Sequence, residues 1–166
     1  MAVRPVVRYP APVLKRPADG VGEVTDEHRA LAEDLVDTMR AGPATVGLAA
    51  PQIGVSLRAF CLDVSGHPKA RTSHGLIVLL DPVLVEVHEE DVLREGCLSV
   101  PDLTANVRRS VRAVVGGIDP AGERRVYQME GFEARALQHE LDHLDGRLIL
   151  DRVESAADVF PRKVYG

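Results

Sequence analysis

The sequence lacks tryptophan altogether, and phenylalanine and tyrosine bring the aromatic content to only 4%. Surfaces that hold single-stranded nucleic acid stack bases on such rings, so that function class has little material here. Cysteine is nearly absent too. Cys61 and Cys97 are the only two, too few for a disulfide framework, which fits a reducing cytoplasm. The longest apolar run, 76–80, stops at Asp81-Pro82, far short of the roughly 20 residues that span a bilayer. Residues 1–17 are interrupted by Arg4, Arg8, Lys15 and several prolines, so no signal peptide is expected. An excess of positive charge is also missing. Lys and Arg number 20 against 25 Asp and Glu, a net charge of −5, so neither specific nucleic-acid binding nor a polybasic membrane patch is expected.

What is present suits an ordinary globular protein. Hydrophobic residues make up 45% and charged residues 27% of 166 residues, enough for one core and a single catalytic domain over 1–166. The first 24 residues read as extended, because Pro5, Pro10, Pro12 and Pro17 oppose helix. Thr25 can cap a helix over 26–40, with Leu31, Leu35, Val36 and Met39 on one face. Strands are predicted at 58–64, 75–80, 83–87, 112–118 and 124–129. Asp119-Pro120-Ala121-Gly122 has the residues of a type I turn and should join the last two as a hairpin. A helix follows over 132–144, with Ala134, Leu137, Leu141 and Leu144 as its apolar stripe and Gly146 placed for a left-handed cap. The fold class is α+β, mostly antiparallel strands with one helix early and one late.

The late helix carries the chemistry. His139-Glu140-Leu141-Asp142-His143 matches H-E-x-x-H. Residues i and i+4 stand above one another on a helix face, so both imidazoles can reach one metal ion, and Glu140 can act as general base on the attacking water. The motif does not extend to the longer metzincin pattern: Gly146 is in place, but Ile149 stands where a third histidine belongs. The third ligand is therefore open. Glu154 is available downstream. Upstream, Cys97 in Glu95-Gly96-Cys97-Leu98-Ser99 is either a thiolate ligand or a buried apolar cysteine. Cys61, in an apolar strand, reads as core.

Three segments together resemble one family, the peptide deformylases. They are Gly47-Leu48-Ala49-Ala50-Pro51-Gln52, Glu95-Gly96-Cys97-Leu98-Ser99 and Gln138-His139-Glu140-Leu141-Asp142-His143, and their order and spacing match as well. Pro12-Val13-Leu14-Lys15, Leu62-Asp63-Val64 and Asp151-Arg152 extend the likeness over nearly the whole chain. The resemblance implies antiparallel sheets around a central metal-binding helix, with the early helix packed outside. It implies that Cys97, His139 and His143 bind one divalent metal, Fe²⁺ in first place, with Zn²⁺, Ni²⁺ or Co²⁺ as substitutes. Glu140 would be general base and acid, and the Gln52 amide and the Leu98 backbone N–H would stabilise the oxyanion. Val46, Gly47, Leu93, Glu95, Gly96, Phe132, Arg135 and Ala136 would bind substrate. Gly47 would hold its backbone as an added strand, and Val46, Leu93, Phe132, Arg135 and Ala136 would surround its first side chain. The substrate implied is a formyl-methionyl nascent peptide.

Two departures stand out. Thr45 replaces a glycine usual in the family, and a β-branched residue resists φ > 0, so the peptide-binding loop is expected to differ. Many members continue into a longer basic helix that helps them dock on the ribosome; here a short tail containing Pro161 follows Asp151-Arg152, which puts such docking in question. Other readings are a hydrolase of a different formamide, a zinc peptidase, or a silent relative that binds metal or peptide without turnover.

Overall fold

Helix α1 (Asp26–Ala41) starts at Thr25, where the His28 ring folds back and accepts from the Thr25 N–H at 3.0 Å. Its buried face, Leu31, Leu35 and Met39, is the stripe legible in the sequence. Helix α2 (Gly131–Leu144) begins one residue earlier than expected. It ends at Gly146, which has φ of 75° and whose added Cβ would stand 2.7 Å from the Arg16 backbone, so only glycine fits. A computed structural model describes residues 2–163 of the chain. Met1 and the last three residues of the short tail lie outside them.

Six strands follow in order: β1 (Gly47–Ala49), β2 (Ala59–Leu62), β3 (Ile77–Cys97), β4 (Val100–Ile118), β5 (Arg124–Glu130) and β6 (Val159–Pro161). They form one antiparallel sheet in the order β1-β2-β3-β4-β5, with β6 also paired to β4. The architecture is α+β. Helix α2 packs against β1, β2, β4 and β5, while α1 packs against β1 and β2 from outside.

Two sequence expectations need correction. The strands predicted at 75–80 and 83–87 are one strand, β3, which continues to Cys97. Asp81-Pro82, read as a stop, is a bulge: the pairing register shifts between Leu80 and Val83, and Asp81 adopts φ of 48°. The Asp81 carboxylate compensates by accepting from Val21 N (2.7 Å) and Gly22 N (2.9 Å). Likewise β4 starts at Val100, not at 112. Together β3 and β4 make a long hairpin closed by Leu98-Ser99, since Cys97 pairs with Val100. The Glu95-to-Ser99 motif is therefore a strand end and its turn, not a free loop. The predicted turn at 119–122 forms as read, with Gly122 N donating to Asp119 O at 2.9 Å.

The core lies between α2 and the sheet. Ala134, Leu137 and Leu144 meet Phe60, Leu62, Leu79 and Val115, all fully buried. Burial of each leucine contributes about 1.5–3 kcal/mol. A second cluster joins α1 to β1 and β2 and contains Cys61, whose Sγ lies 3.7 Å from Met39 Sδ. This packing fixes α2 with its ligand-bearing face toward the β3 end.

Candidate metal centre and active site

Helical spacing stacks His139 above His143, and the ring nitrogens Nε2 face each other at 3.3 Å. The tip of the β3–β4 hairpin brings Cys97 to the same point, with Sγ 3.4 Å from His143 Nε2. One ligand atom from each of the three residues lies within 4.8 Å of the others. One sulfur and two imidazole nitrogens form a donor set suited to a divalent transition metal, so these residues fit the ion that the motif calls for. Glu154 does not join them; its carboxylate accepts from Arg108 Nε at 2.8 Å.

Electrostatics separates the two cysteines. Burial opposes charge on Cys97, yet the imidazoles of His143 and His139 hold its thiol well below the ordinary value, toward thiolate. Burial, and after it the charge of Glu140, push the Cys61 thiol up, so it stays protonated. Glu140 is itself buried. That burial raises its carboxyl above the usual range, against the pull of His139 and His143. Its Oε1 has no hydrogen-bond partner among the described residues, an uncommon state for a buried polar atom. Gly47 makes room for it: a Cβ there would stand 2.7 Å from Glu140 Oε2.

His139 is held by its other nitrogen. Glu95 Oε1 lies 3.0 Å from Nδ1, and a carboxylate only accepts, so Nδ1 carries a proton and Nε2 is the nitrogen that faces the cluster. Glu95 in turn accepts from Arg109 through Nε and Nη2, each at 3.0 Å, and from Arg135 Nη1 at 2.6 Å. The network continues to Asp142, which accepts from Arg109 Nη1 (2.5 Å) and Arg152 Nη2 (2.7 Å). Arg135 also reaches Asp91 at 2.7 Å. Burial would push the Glu95 carboxyl up, but His139 and Arg109 hold it well below the carboxylate range. Glu95 and Arg135 were expected to bind substrate. Both line the cleft; their charged ends pair with each other, and their side chains are only 7% and 5% exposed.

Gln52 is fixed at both ends. Its Oε1 accepts from Ala49 N at 3.0 Å, while Nε2 donates to Ser99 Oγ at 3.2 Å and lies 3.7 Å from Cys97 Sγ. The amide thus both stabilises its turn and points N–H groups at the cluster. Leu98 is the first residue of the hairpin turn beside Cys97. These groups line a cleft of about 680 Å³ that also takes in Val46, Gly47, Leu93, Gly96, Phe132 and Ala136. His143 lies beneath it, 1% exposed. Leu93 reaches the cleft from strand β3. Thr45 also lines the cleft, but the left-handed residue there is Ala44, with φ of 53°. Thr45 therefore avoids the conformation that β-branching opposes.

Several lining residues were not singled out in the sequence. His67 stacks on the Phe132 ring, centroids 4.3 Å apart, and Lys69, Arg94 and Arg162 stand around the opening. Arg94 adjoins the Glu95-to-Ser99 motif and could have been flagged by position. Arg162 carries no such signal, because only the pairing of β6 with β4 brings it near.

A helix-borne pair of histidines, a soft third donor and a buried carboxylate beside them are the arrangement of a mononuclear metallohydrolase. Comparison with known proteins narrows that class. The profile of the Polypeptide deformylase family matches residues 3–158, and the chain belongs to that family. The peptide deformylase of Desulforudis audaxviator is 43% identical over 165 residues, covering 98% of this chain and 99% of that protein. Among solved structures, peptide deformylase from Thermotoga maritima superposes with a TM-score of 0.84 at 34% identity, over 93% of this chain and all (100%) of that one. The Ehrlichia chaffeensis enzyme in complex with actinonin gives 0.86 at 32% identity, over 93% and 91% of the two chains. No helix among the described residues is long and apolar enough to cross a membrane.

Proposed function

We propose that this protein removes the formyl group from the N-terminal formyl-methionine of nascent peptides, releasing formate. The observation that carries this reading is the buried Glu140 carboxylate, with a free oxygen beside the Cys97, His139 and His143 donors. Those three residues would hold one divalent ion, Fe²⁺ by family resemblance, with Zn²⁺, Ni²⁺ or Co²⁺ able to substitute. The ion, when bound, supplies Lewis-acid polarisation of the formyl oxygen and lowers the pKa of the attacking water.

The chain's own residues supply the rest. Glu140, with its raised proton affinity, takes the proton of the attacking water and returns it to the leaving amine. Gln52 Nε2 and the Leu98 N–H donate to the oxygen that becomes negative, and one such donor is worth about 3 kcal/mol of barrier. Strand β1 is at the sheet edge, so Gly47 offers unpaired backbone groups to an extended substrate. Glu95 and its arginines orient His139 from the wall of the cleft. Val46, Leu93, Phe132 and Ala136 enclose the first side chain, joined by His67.

The test is anaerobic purification, metal analysis and a formate-release assay on formyl-methionyl peptides. One ion per chain and release of formate are expected. Glu140→Ala should keep its ion and lose about 10²–10⁴-fold in kcat. Substantial turnover by that variant would mean another base and overturn the mechanism. An iron-loaded sample should lose activity in air and keep it under nitrogen, since a thiolate beside Fe²⁺ is open to oxidation.

A further inference from the structure

The chain carries a net charge of −5, yet the mouth of its cleft is positive. Lys69, Arg94, Arg162 and Lys163 line it, against two acids. Of these, Glu95 is neutralised by Arg109 and Arg135, and Glu140 is buried at the reacting centre. None of the four cations has a carboxylate partner among the described residues. Elsewhere on the β3–β4 hairpin exposed arginines are paired, Arg108 with Glu154 at 2.8 Å and Arg112 with Glu89 at 3.5 Å. Among the exposed arginines of this hairpin, Arg94 at the cleft is the one with no carboxylate partner among the described residues.

Two of these cations are held in place. The Arg94 guanidinium lies 3.6 Å over the Phe160 ring. Arg162 has its backbone N–H bonded to Asp102 O at 2.9 Å, and its guanidinium lies against Gly96, in the space that a Cβ there would take. Strand β6, which carries Phe160, therefore sets both groups beside the Gly96-Cys97 end of β3. Ordering them in advance lowers the entropy that a bound anion would otherwise have to offset.

We infer that this rim selects formylated peptides with Asp or Glu at the second to fourth positions. The inference rests on the deformylase reading. A peptide extended along the edge of β1 advances about 3.3 Å per residue. Its third and fourth residues are then about 7 and about 10 Å beyond the formyl-methionine, toward the mouth of the cleft. Carboxylates there meet Arg94 and Arg162, and opposed charge lowers KM without altering the proton transfers at Glu140. RNA phosphate is the other polyanion such a rim could meet. A peptide is favoured because the cations line the cleft that holds Glu140, and Arg94 already occupies the ring face of Phe160 that a base would stack on.

The test measures kcat/KM of the metal-loaded enzyme on formyl-methionyl tetrapeptides carrying alanine, glutamate or lysine after the methionine. One exposed pair is worth about two- to fivefold. Two pairs then predict a glutamate-over-lysine ratio of about four- to twenty-five-fold at low salt, carried by KM. The ratio should shrink toward one at 0.5 M salt, where screening falls to a length of about 4 Å. Arg94→Ala and Arg162→Ala should each reduce the ratio about two- to fivefold. Arg108→Ala, whose side chain lies outside the cleft, should leave it unchanged. Turnover of the alanine peptide with a flat ratio, or a ratio that survives both variants, overturns the inference and leaves the deformylase reading intact. No turnover of any peptide overturns both. A flat ratio with loss of ribosomal RNA binding in the two variants would assign the rim to RNA.

Discussion

Gly47 and Glu140 act as one unit. A buried carboxylate with a free oxygen is unfavourable unless something holds the space around it, and a side chain at residue 47 would fill that space. Gly47→Ala should therefore displace the carboxylate and depress kcat, while metal content, set by Cys97 and two histidines, stays near one ion per chain. Equal kcat in the variant would show that the close approach has no catalytic consequence. The cysteines make the complementary case. Cys97, pulled toward thiolate by two imidazoles, should be needed for the metal, and Cys61, pushed toward thiol by burial, should not. Metal analysis of Cys97→Ala and Cys61→Ala separates them: the first should lose most of its ion and the second keep it. Full occupancy in the Cys97 variant would remove that residue from the ligand set.

At the scale of elements, the site is where α2 meets the β3–β4 hairpin, and Glu95 joins them through Arg109, Arg135 and His139. Glu95→Ala removes the shared acceptor. Arg109 keeps Asp142 and Arg135 keeps Asp91, so the cost falls at the low end for a broken buried pair, about 3 kcal/mol. At this chain length, that is a fall in Tm of roughly 6–12 °C. Losing the partner of His139 Nδ1 should also weaken metal binding about 10–100-fold. A variant with unchanged Tm and metal affinity would show that the network is incidental. This network also marks the limit of what the sequence reveals. The two helices were legible because their apolar residues recur at helical spacing and their ends carry Thr25 and Gly146. The first part of β4 was not. Its inward positions are Ala105, Val107 and Arg109, and a charged residue in that series breaks the alternation that identifies a strand. The outer part of β3 was missed for a related reason: residues 88–94 are exposed and mostly polar, and nothing in such a run has to be apolar. The histidine pair could be read from i, i+4 spacing alone. The nearness of Cys97 and Gln52 could not, because it depends on which strand ends the sheet brings together.

For the molecule as a whole, the question is how a small α+β fold would offer the proposed recess for a first side chain next to the Cys97, His139 and His143 cluster. Helix α2 does both, since Phe132, Ala136 and His139 follow one another down a single face, at three- and four-residue steps. The ring of His67, carried by the chain between β2 and β3, lies flat against Phe132 with an interplanar angle of 19°, so the recess is walled from a second direction. Val46 and Leu93 complete it from β1's approach and from β3. An apolar recess of this kind rewards a long flexible side chain. Removing one or two methylenes from a side chain in such a pocket costs about 1–3 kcal/mol in kcat/KM. Formyl-methionyl peptides should therefore exceed formyl-alanyl peptides by about one to two orders of magnitude, measured by formate release under identical metal loading. Phe132→Ala removes both the ring and the surface on which His67 stacks, so it should compress that ratio while leaving the ion bound. Two results would count against the recess as the reader of the first side chain: equal rates for the two peptides in the unmodified enzyme, or a Phe132 variant that loses its metal and keeps its preference.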